Sequence, residues 1–404
     1  MKQQDLIIIG GGIMGLMTAY YASDLVENIT ILEKKTIGKE NKEASSFSYT
    51  RSIRSDYPDE FYTMLAYEAQ KLWRDLQTKS REKFYIECGC INIAKKSVTP
   101  DLAKTYAGQS YATRTKLKLE TKSFNKATLI KRFPQFNADF GSLEETGGYL
   151  LLQIIKDLLL DLLKQRKVTI KENVIMVSLS ERNRKVVIRT KKEDFIAEKV
   201  AVTSGRFVND VVGLVKNNTL QFPITPFWPK ESKYYYPKKA IVKNFFPDKF
   251  PVFAYLDAGI YGHPIFDEKK GAIKIGYYQS PEIKEKRQNK IKSVAEFVNE
   301  CLPDLKNSRC EDITDVDQCA YDLVPDNEFI LGKLPGYNNI VIGTGWRGTG
   351  YKYAPLIGKI ISQLTLQSNS LYDIKRFSPE RFVKRKSEKT KTKKSRSWKL
   401  KNIN

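Results

Sequence analysis

Histidine is nearly absent: His263 is the only one in 404 residues. That argues against zinc sites built on imidazoles and against Ser-His-Asp hydrolysis. Cysteine is sparse too. Five of them, odd in number and irregularly spaced, do not make a secreted disulfide scaffold and point to a reducing compartment. Cys88 and Cys90 lack a second pair or a nearby histidine, so they read as strand residues rather than metal ligands; Cys301 and Cys310 belong to no motif. Long apolar runs are also missing. The longest stretch, YLLLQIIKDLLLDLLKQ, is broken by Gln153, Lys156, Asp157 and Asp161, which makes it a helix with one buried face and not a membrane span. The opening MKQQDLIIIGGG has a short apolar run and no small-residue cleavage site, so it reads as no signal peptide. A soluble cytoplasmic protein is expected.

What is present is enough for a large core. Apolar residues make up 41% and aromatics 11%, and the length favours two or three domains, or one domain in two parts. The net charge is +23, of which residues 381–404 carry +10, from eleven Lys/Arg against the single acid Glu388. That tail has almost nothing to pack and reads as disordered. It is a solvated tail, or one that contacts RNA or an anionic membrane surface.

DLIIIGGGIMGLMTAYYASD reads as buried strand, glycine turn and helix. Gly10 permits the tight turn, Gly12 lets a pyrophosphate approach the backbone, and Gly15 lets helix and strand pack closely. The anion then meets the free N–H groups of a helix start. NITILEKK forms the next strand and ends in Glu33, an acid placed to take a ribose hydroxyl pair and to repel a 2′-phosphate. These parts together form a dinucleotide site, without separating FAD from NAD.

SSFSYTRSIRSDYPDEFYTMLAYEAQKLW then places Arg51 and Arg54 just beyond that unit, followed by an amphipathic helix. The two arginines are either structural ion pairs or the holders of an anionic substrate or cofactor edge. Near the other end, QCAYDLVPDNEF holds Cys319. On its own this cysteine is a small buried hydrophobe, a nucleophile, a metal ligand or an anchor. Lys274, in AIKIGYY, alternates with apolar neighbours, as the polar face of a strand would.

The order of these segments resembles the monomeric sarcosine oxidase family within the D-amino-acid-oxidase-like flavoproteins, which includes N-methyltryptophan and pipecolate oxidases. TRSIRSDY, GIYGHPIF, AIKIGYY, QCAYDLVPDNEFILG and NNIVIGTGWRGTGYKYAPLIGKIISQL carry the resemblance, over roughly 5–70 and 259–380; between 85 and 258 it is loose. The resemblance implies FAD, held by a thioether at Cys319. It places Lys274 where a lysine near the flavin N5 helps activate oxygen, Arg51 beside the flavin ring, and Tyr261 near the substrate. Arg54 and Lys352 fall where the family holds the substrate carboxylate. Gly348 and Gly350 belong to the glycine-rich turn whose following helix points at the flavin.

The residue types suit that chemistry. The cofactor supplies the hydride acceptor, and the protein places the carbon and stabilises developing negative charge, a task for a helix start and cations. The sequence departs from the family at several positions. Tyr278 stands where sarcosine oxidases have a histidine, Trp346 and Arg347 make the GWRG turn bulkier and more cationic, and Arg206 replaces a small residue. Tyr278 and Trp346 point to a flat or cyclic amino acid.

The expected fold class is α/β: a Rossmann-type FAD-binding domain interleaved with an α+β substrate domain built on a mostly antiparallel sheet. Residues 1–84, 146–218 and 316–380 are assigned to the first, and 85–145 and 219–315 to the second. The expected activity is FAD-dependent oxidation of a secondary or cyclic amino acid by molecular oxygen, giving imine and hydrogen peroxide. Two other readings compete: a flavoprotein acting on a modified tRNA uridine side chain, which the basic surface would suit, and a dehydrogenase passing electrons to a membrane acceptor.

Overall fold

The protein is described by a computed structural model that covers residues 3–38, 41, 43–46, 48–229, 231–267, 270–278, 291–313, 320–367 and 369–383. It divides into two compact units: 1–48, 153–227 and 319–404 form the first, 49–152 and 228–318 the second. Against the sequence assignment, 49–84 and 146–152 fall in the second unit and 219–227 in the first. Residues 49–84 group with the second unit, because the strand Thr50–Ile53 pairs with Gly148–Leu151 rather than with the nucleotide strands.

The first unit is built on an eight-stranded sheet. Its parallel centre runs Thr169–Lys171, Ile29–Leu32, Gln3–Ile9, Asp194–Val202 and Ile340–Thr344, in that spatial order. Leu6 to Ile9 are all buried, as expected of a parallel strand covered on both faces. The hairpin Met176–Arg182/Lys185–Thr190 extends the sheet antiparallel. It turns at Asn183 and Arg184, both at positive φ. Helix Ile13–Ala22 and helix Ala354–Leu366 pack together closely enough that a Cβ at Gly358 would lie 2.6 Å from Met17 Cβ.

The 149–165 stretch splits into two elements. Gly148–Leu151 is a strand of the second unit, and Leu152–Gln165 is the amphipathic helix. No helix among the described residues is long and apolar enough to cross a membrane.

The second unit holds an eight-stranded sheet in which every neighbour pair is antiparallel except Val252–Tyr255 beside Cys90–Ala94. Side chains alternate between the faces of a strand, so the register sorts them. One face carries Ile91, Leu143, Phe253, Ile273, Ile275 and Tyr277 into a core with Phe136, Phe250 and Phe297. The opposite face carries Lys274, His263, Tyr261, Asn92, Ser142 and Glu144, as the pairs His263–Lys274, Tyr261–Gly276, Asn92–Ser142 and Cys90–Glu144 require. Most of these polar side chains are buried. A three-stranded sheet, Thr50–Ile53, Gly148–Leu151 and Tyr85–Ile86, completes the unit. Helix Glu60–Ser80 follows, capped by the Asp59 carboxylate accepting from the Tyr62 N–H, with Phe61, Leu65, Ala69, Trp73 and Leu76 on its buried face.

Candidate active site

In the first unit Gly10 and Gly15 sit where the chain approaches itself closely. Gly10 has φ +107°, and a Cβ there would meet the Thr203 carbonyl oxygen at 2.9 Å. A Cβ at Gly15 would lie 1.9 Å from the Gly10 carbonyl oxygen; helix and turn approach too closely for any side chain. Gly12 is the N-cap of helix Ile13–Ala22 and contributes no side-chain cap. The first turn is served instead by Ser46, whose Oγ accepts from the Ile13 N–H at 2.9 Å. Glu33 ends its strand with both oxygens turned to backbone: Oε2 accepts from Gly11 N–H at 2.7 Å and Oε1 from Lys35 N–H at 2.9 Å. A tight backbone cradle, a helix start whose N-cap residue is a glycine, and an acid at the next strand end fit the pyrophosphate and ribose of a dinucleotide.

The same unit presents the second glycine turn. Gly348 has φ +68°, and a Cβ there would sit 2.5 Å from the Tyr321 ring. Trp346 is buried edge-on against Phe329 at 5.3 Å. Gly350 opens the 3-10 turn Gly350–Tyr353 ahead of helix Ala354–Leu366, and Lys352 in that turn is buried, its Nζ donating to the Thr349 carbonyl at 3.3 Å. Cys319 lies outside the described residues. Its neighbour Ala320 accepts at its carbonyl oxygen from the Ser45 hydroxyl at 3.0 Å, which places Ala320 at the loop after the strand Ile29–Leu32.

Asp322 was not singled out from sequence. It is buried beneath the glycine turn with Oδ2 lacking a hydrogen-bond partner among the described residues. Burial pushes its carboxyl up to about 6, against the opposing pull of the backbone N–H groups of Trp346, Asp322, Gly345 and Arg347. A carboxyl whose folded pKa is raised stabilises the fold below its unfolded value of about 4 and loses that contribution as pH rises through about 6. Across that interval the fold therefore loses up to about 3 kcal/mol through Asp322, at about 1.4 kcal/mol per pKa unit. Denaturant midpoints of Asp322→Asn followed from pH 4 to 7 should show a flatter slope than the parent; an unchanged slope would mean another group carries it.

In the second unit, Arg54 is 8% exposed and Asp56 1%. Arg54 Nη1 donates to Asp56 Oδ1 at 2.5 Å, to the Asp56 carbonyl at 2.9 Å and to the Tyr106 hydroxyl at 3.2 Å. The guanidinium also lies over the Tyr57 ring at 4.7 Å. Burial acts against its charge, but Tyr106, Asp56 and Tyr57 together hold its pKa well above the usual arginine value. Asp56 Oδ2 accepts from the Asn92 amide, which rises from the polar face of the sheet. Burial raises the Asp56 carboxyl and Glu144 adds to the rise, while Arg54 and Arg114 oppose it.

Next to this pair is a second one. Glu144 accepts from Ser55 N–H at 2.7 Å, Ser55 Oγ at 2.6 Å and Gln70 Nε2 at 2.8 Å, with Arg114 Nη1 at 3.3 Å. The loop 54–56 is thus bound on both sides, and Arg54 uses one edge of its fork internally. Nε and Nη2 have no partner among the described residues, which leaves the bidentate edge for a carboxylate.

Lys274 is 2% exposed on the same polar face. The Tyr261 ring lies over Gly276, where a Cβ would be 2.5 Å from its Cζ, so a glycine two residues beyond the lysine makes room for the tyrosine. Arg51 lies half-buried in strand Thr50–Ile53, its Nη1 donating to the Thr50 carbonyl at 3.0 Å. Tyr278 follows the lysine strand and donates its N–H to the Gly259 carbonyl at 2.6 Å.

A model of FAD dependent oxidoreductases, the DAO family, matches residues 5–364. The chain belongs to this family. It is an FAD-dependent oxidoreductase of amino-acid CH–NH donors. It is similar to human peroxisomal sarcosine oxidase, 25% identical over 94% of this chain and 96% of that protein. It is also similar to N-methyl-L-tryptophan oxidase of Citrobacter koseri, 26% identical over 94% and 99%. In fold it is similar to L-proline dehydrogenase from P. horikoshii (TM-score 0.76, 18% identical, 94% of this chain and 98% of that one). Glycine oxidase from Geobacillus kaustophilus is comparable (TM-score 0.73, 16% identical, 95% and 100%).

The sequence-predicted residues of this DAO-family chain fall into two sets. Gly10, Gly12, Gly15, Glu33, Trp346, Gly348, Gly350 and Lys352 belong to the first unit, and Arg51, Arg54, Tyr261, Lys274 and Tyr278 to the second. Sequence reasoning missed Asp56, Asn92, Glu144, Arg114, His263 and Asp322. Asp56 had a local signal, an acid two residues after a candidate anion-binding arginine. Arg114 and Glu144 had none, since they meet Ser55 across 59 and 89 residues of chain.

Proposed function

We propose that this chain oxidises the C–N bond of a secondary or cyclic amino acid of the sarcosine, N-methyl or pipecolate type, with molecular oxygen as acceptor. Two electrons and two protons leave the substrate, its C–N single bond becomes an imine, and oxygen is reduced to hydrogen peroxide. Bound FAD supplies the electron sink. The observation that carries the reading is the pair of buried cations in the second unit. Arg54 is fixed with one donor edge available, and Lys274 stands on the polar sheet face to which Asn92 anchors the Arg54–Asp56 pair.

In this reading Arg54 and Lys352 hold the substrate carboxylate, and Arg51 and Tyr261 place the reacting carbon. Tyr278 and Trp346 shape the pocket, and Lys274 stabilises charge that develops on oxygen. Gly10, Gly12, Gly15 and Glu33 hold the nucleotide half of the cofactor; Gly348 and Gly350 hold the backbone turn beside its ring. The two aromatic pocket residues favour a cyclic imino acid. Peroxide release measured across sarcosine, N-methyl amino acids and cyclic imino acids tests the substrate class, and a clear sarcosine preference would sink the cyclic assignment.

We assign Cys319 as the covalent anchor of the flavin. Acid denaturation of the holoenzyme should carry the yellow colour into the precipitate, with one added FAD in the intact mass. Cys319→Ala should release essentially all of it to the supernatant. If the parent also releases its flavin, the anchor assignment is wrong. The protein is taken to be cytoplasmic, and its basic tail, of which 384–404 lie outside the described residues, is offered as the contact for RNA or an anionic membrane surface.

A further inference from the structure

His263, the chain's single histidine, has no part in the roles above. It is 1% exposed at the end of strand Ile260–His263. Its Nδ1 lies 2.9 Å from Thr50 Oγ1 and its Nε2 2.8 Å from Ser52 Oγ. Those hydroxyls flank Arg51 on strand Thr50–Ile53, which belongs to the small sheet, whereas His263 belongs to the large one. The ring also stacks on Tyr149 at 6.1 Å and 28°, and meets Tyr261 edge-on at 6.4 Å. In the large sheet His263 is the cross-strand partner of Lys274, so the two side chains leave the same face with Cβ atoms about 5 Å apart.

One imidazole thus joins the strand of Arg51, the ring of Tyr261 and the strand of Lys274. Two anchor points two residues apart fix a strand in rotation as well as in position, because residues i and i+2 share a face and the residue between them takes the other. Gripping Thr50 and Ser52 therefore decides the direction in which Arg51 projects. A leucine would fill this buried position without desolvating two ring nitrogens, so the bridge explains why a histidine stands there.

We propose that His263 is a positioning residue: it clamps the Arg51 strand to the sheet face that carries Lys274 and Tyr261. The proposal rests on the roles assigned above to those three residues. Three variants test it: Thr50→Val and Ser52→Ala combined remove the hydroxyls, His263→Phe keeps the ring stack without the nitrogens, and His263→Gln restores an amide donor and acceptor.

A single histidine gives one pair of ring 15N signals. The Thr50→Val/Ser52→Ala protein should shift both, move the flavin absorbance bands of the holoenzyme and lower kcat roughly 10- to 100-fold, the scale for a misplaced active-site group. His263→Phe should match it in spectrum and kcat, and His263→Gln should recover part of the loss. A drop in unfolding midpoint with spectrum and kcat unchanged would overturn the proposal, as would ring signals indifferent to the loss of both hydroxyls. Should His263→Phe fail to fold, the hydroxyl variants still decide. Arg51→Met run in parallel separates the two levels: unchanged turnover there removes the role of Arg51, while the 15N shifts still report whether the clamp exists.

Discussion

Arg54→Met is expected to lower kcat/KM for the amino-acid substrate roughly 100- to 1,000-fold, about 3–4 kcal/mol, within the range for truncating one partner of a buried charge-assisted pair. The same substitution should also destabilise the fold by about 3–5 kcal/mol, because it leaves the Asp56 carboxylate buried without its partner. The two effects have different origins and can be separated. Asp56 lies 2.5 Å from Arg54 Nη1 and is otherwise held by Asn92. Adding Asp56→Asn to Arg54→Met removes the stranded charge, so the double variant should regain most of the denaturant midpoint while kcat/KM stays low. Asp56→Asn alone should leave Arg54 in place but less firmly oriented, raising KM more than it lowers kcat. If the double variant regains turnover along with stability, Arg54 is a structural ion pair and not the holder of the substrate.

That experiment bears on how much the sequence made legible. The strand, turn and helix of the nucleotide site were readable because every part is local: Leu6 to Glu33 fold against one another, and the spacing of the glycines records their close approach. The arginine segment was readable as chemistry but not as electrostatics. Arg54 read either as a structural ion pair or as the holder of an anion; one edge of its fork is fixed by Asp56, and Nε and Nη2 have no partner among the described residues. The partners that hold it come from far along the chain: Tyr106 directly, Asn92 through Asp56, and Glu144 and Arg114 through Ser55. No periodicity marks them: Asn92 is the one polar residue of a buried strand, whereas Tyr106 and Arg114 lie on a polar helix with few buried positions. The grouping of residues 49–84 was misjudged for a related reason. Chain proximity to the glycine turn suggested the first unit, but hydrogen bonding to Gly148–Leu151 carries the Arg51 strand into the second.

Lys274→Met tests the other half of the reaction. Methionine has nearly the length and shape of lysine and suits a buried strand position, so the variant should fold with Tyr261 still lying over Gly276. It lacks the charge. In a site that excludes water, a fixed cation opposite developing negative charge is worth several kcal/mol, and it helps only the step in which that charge develops. Substrate oxidation followed anaerobically, by loss of the yellow absorbance, should therefore change by less than about threefold. The reaction of the reduced enzyme with oxygen should slow roughly 100- to 1,000-fold. Lys274→Arg keeps the charge but brings a planar fork to a position where Tyr261 and His263 already crowd the face, and it should recover only part of the rate. Equal slowing of both half-reactions would mean that the lysine holds the pocket together. Unchanged reaction with oxygen would move the charge-stabilising role to Arg51 or Lys352, the remaining cations assigned beside the flavin and its substrate.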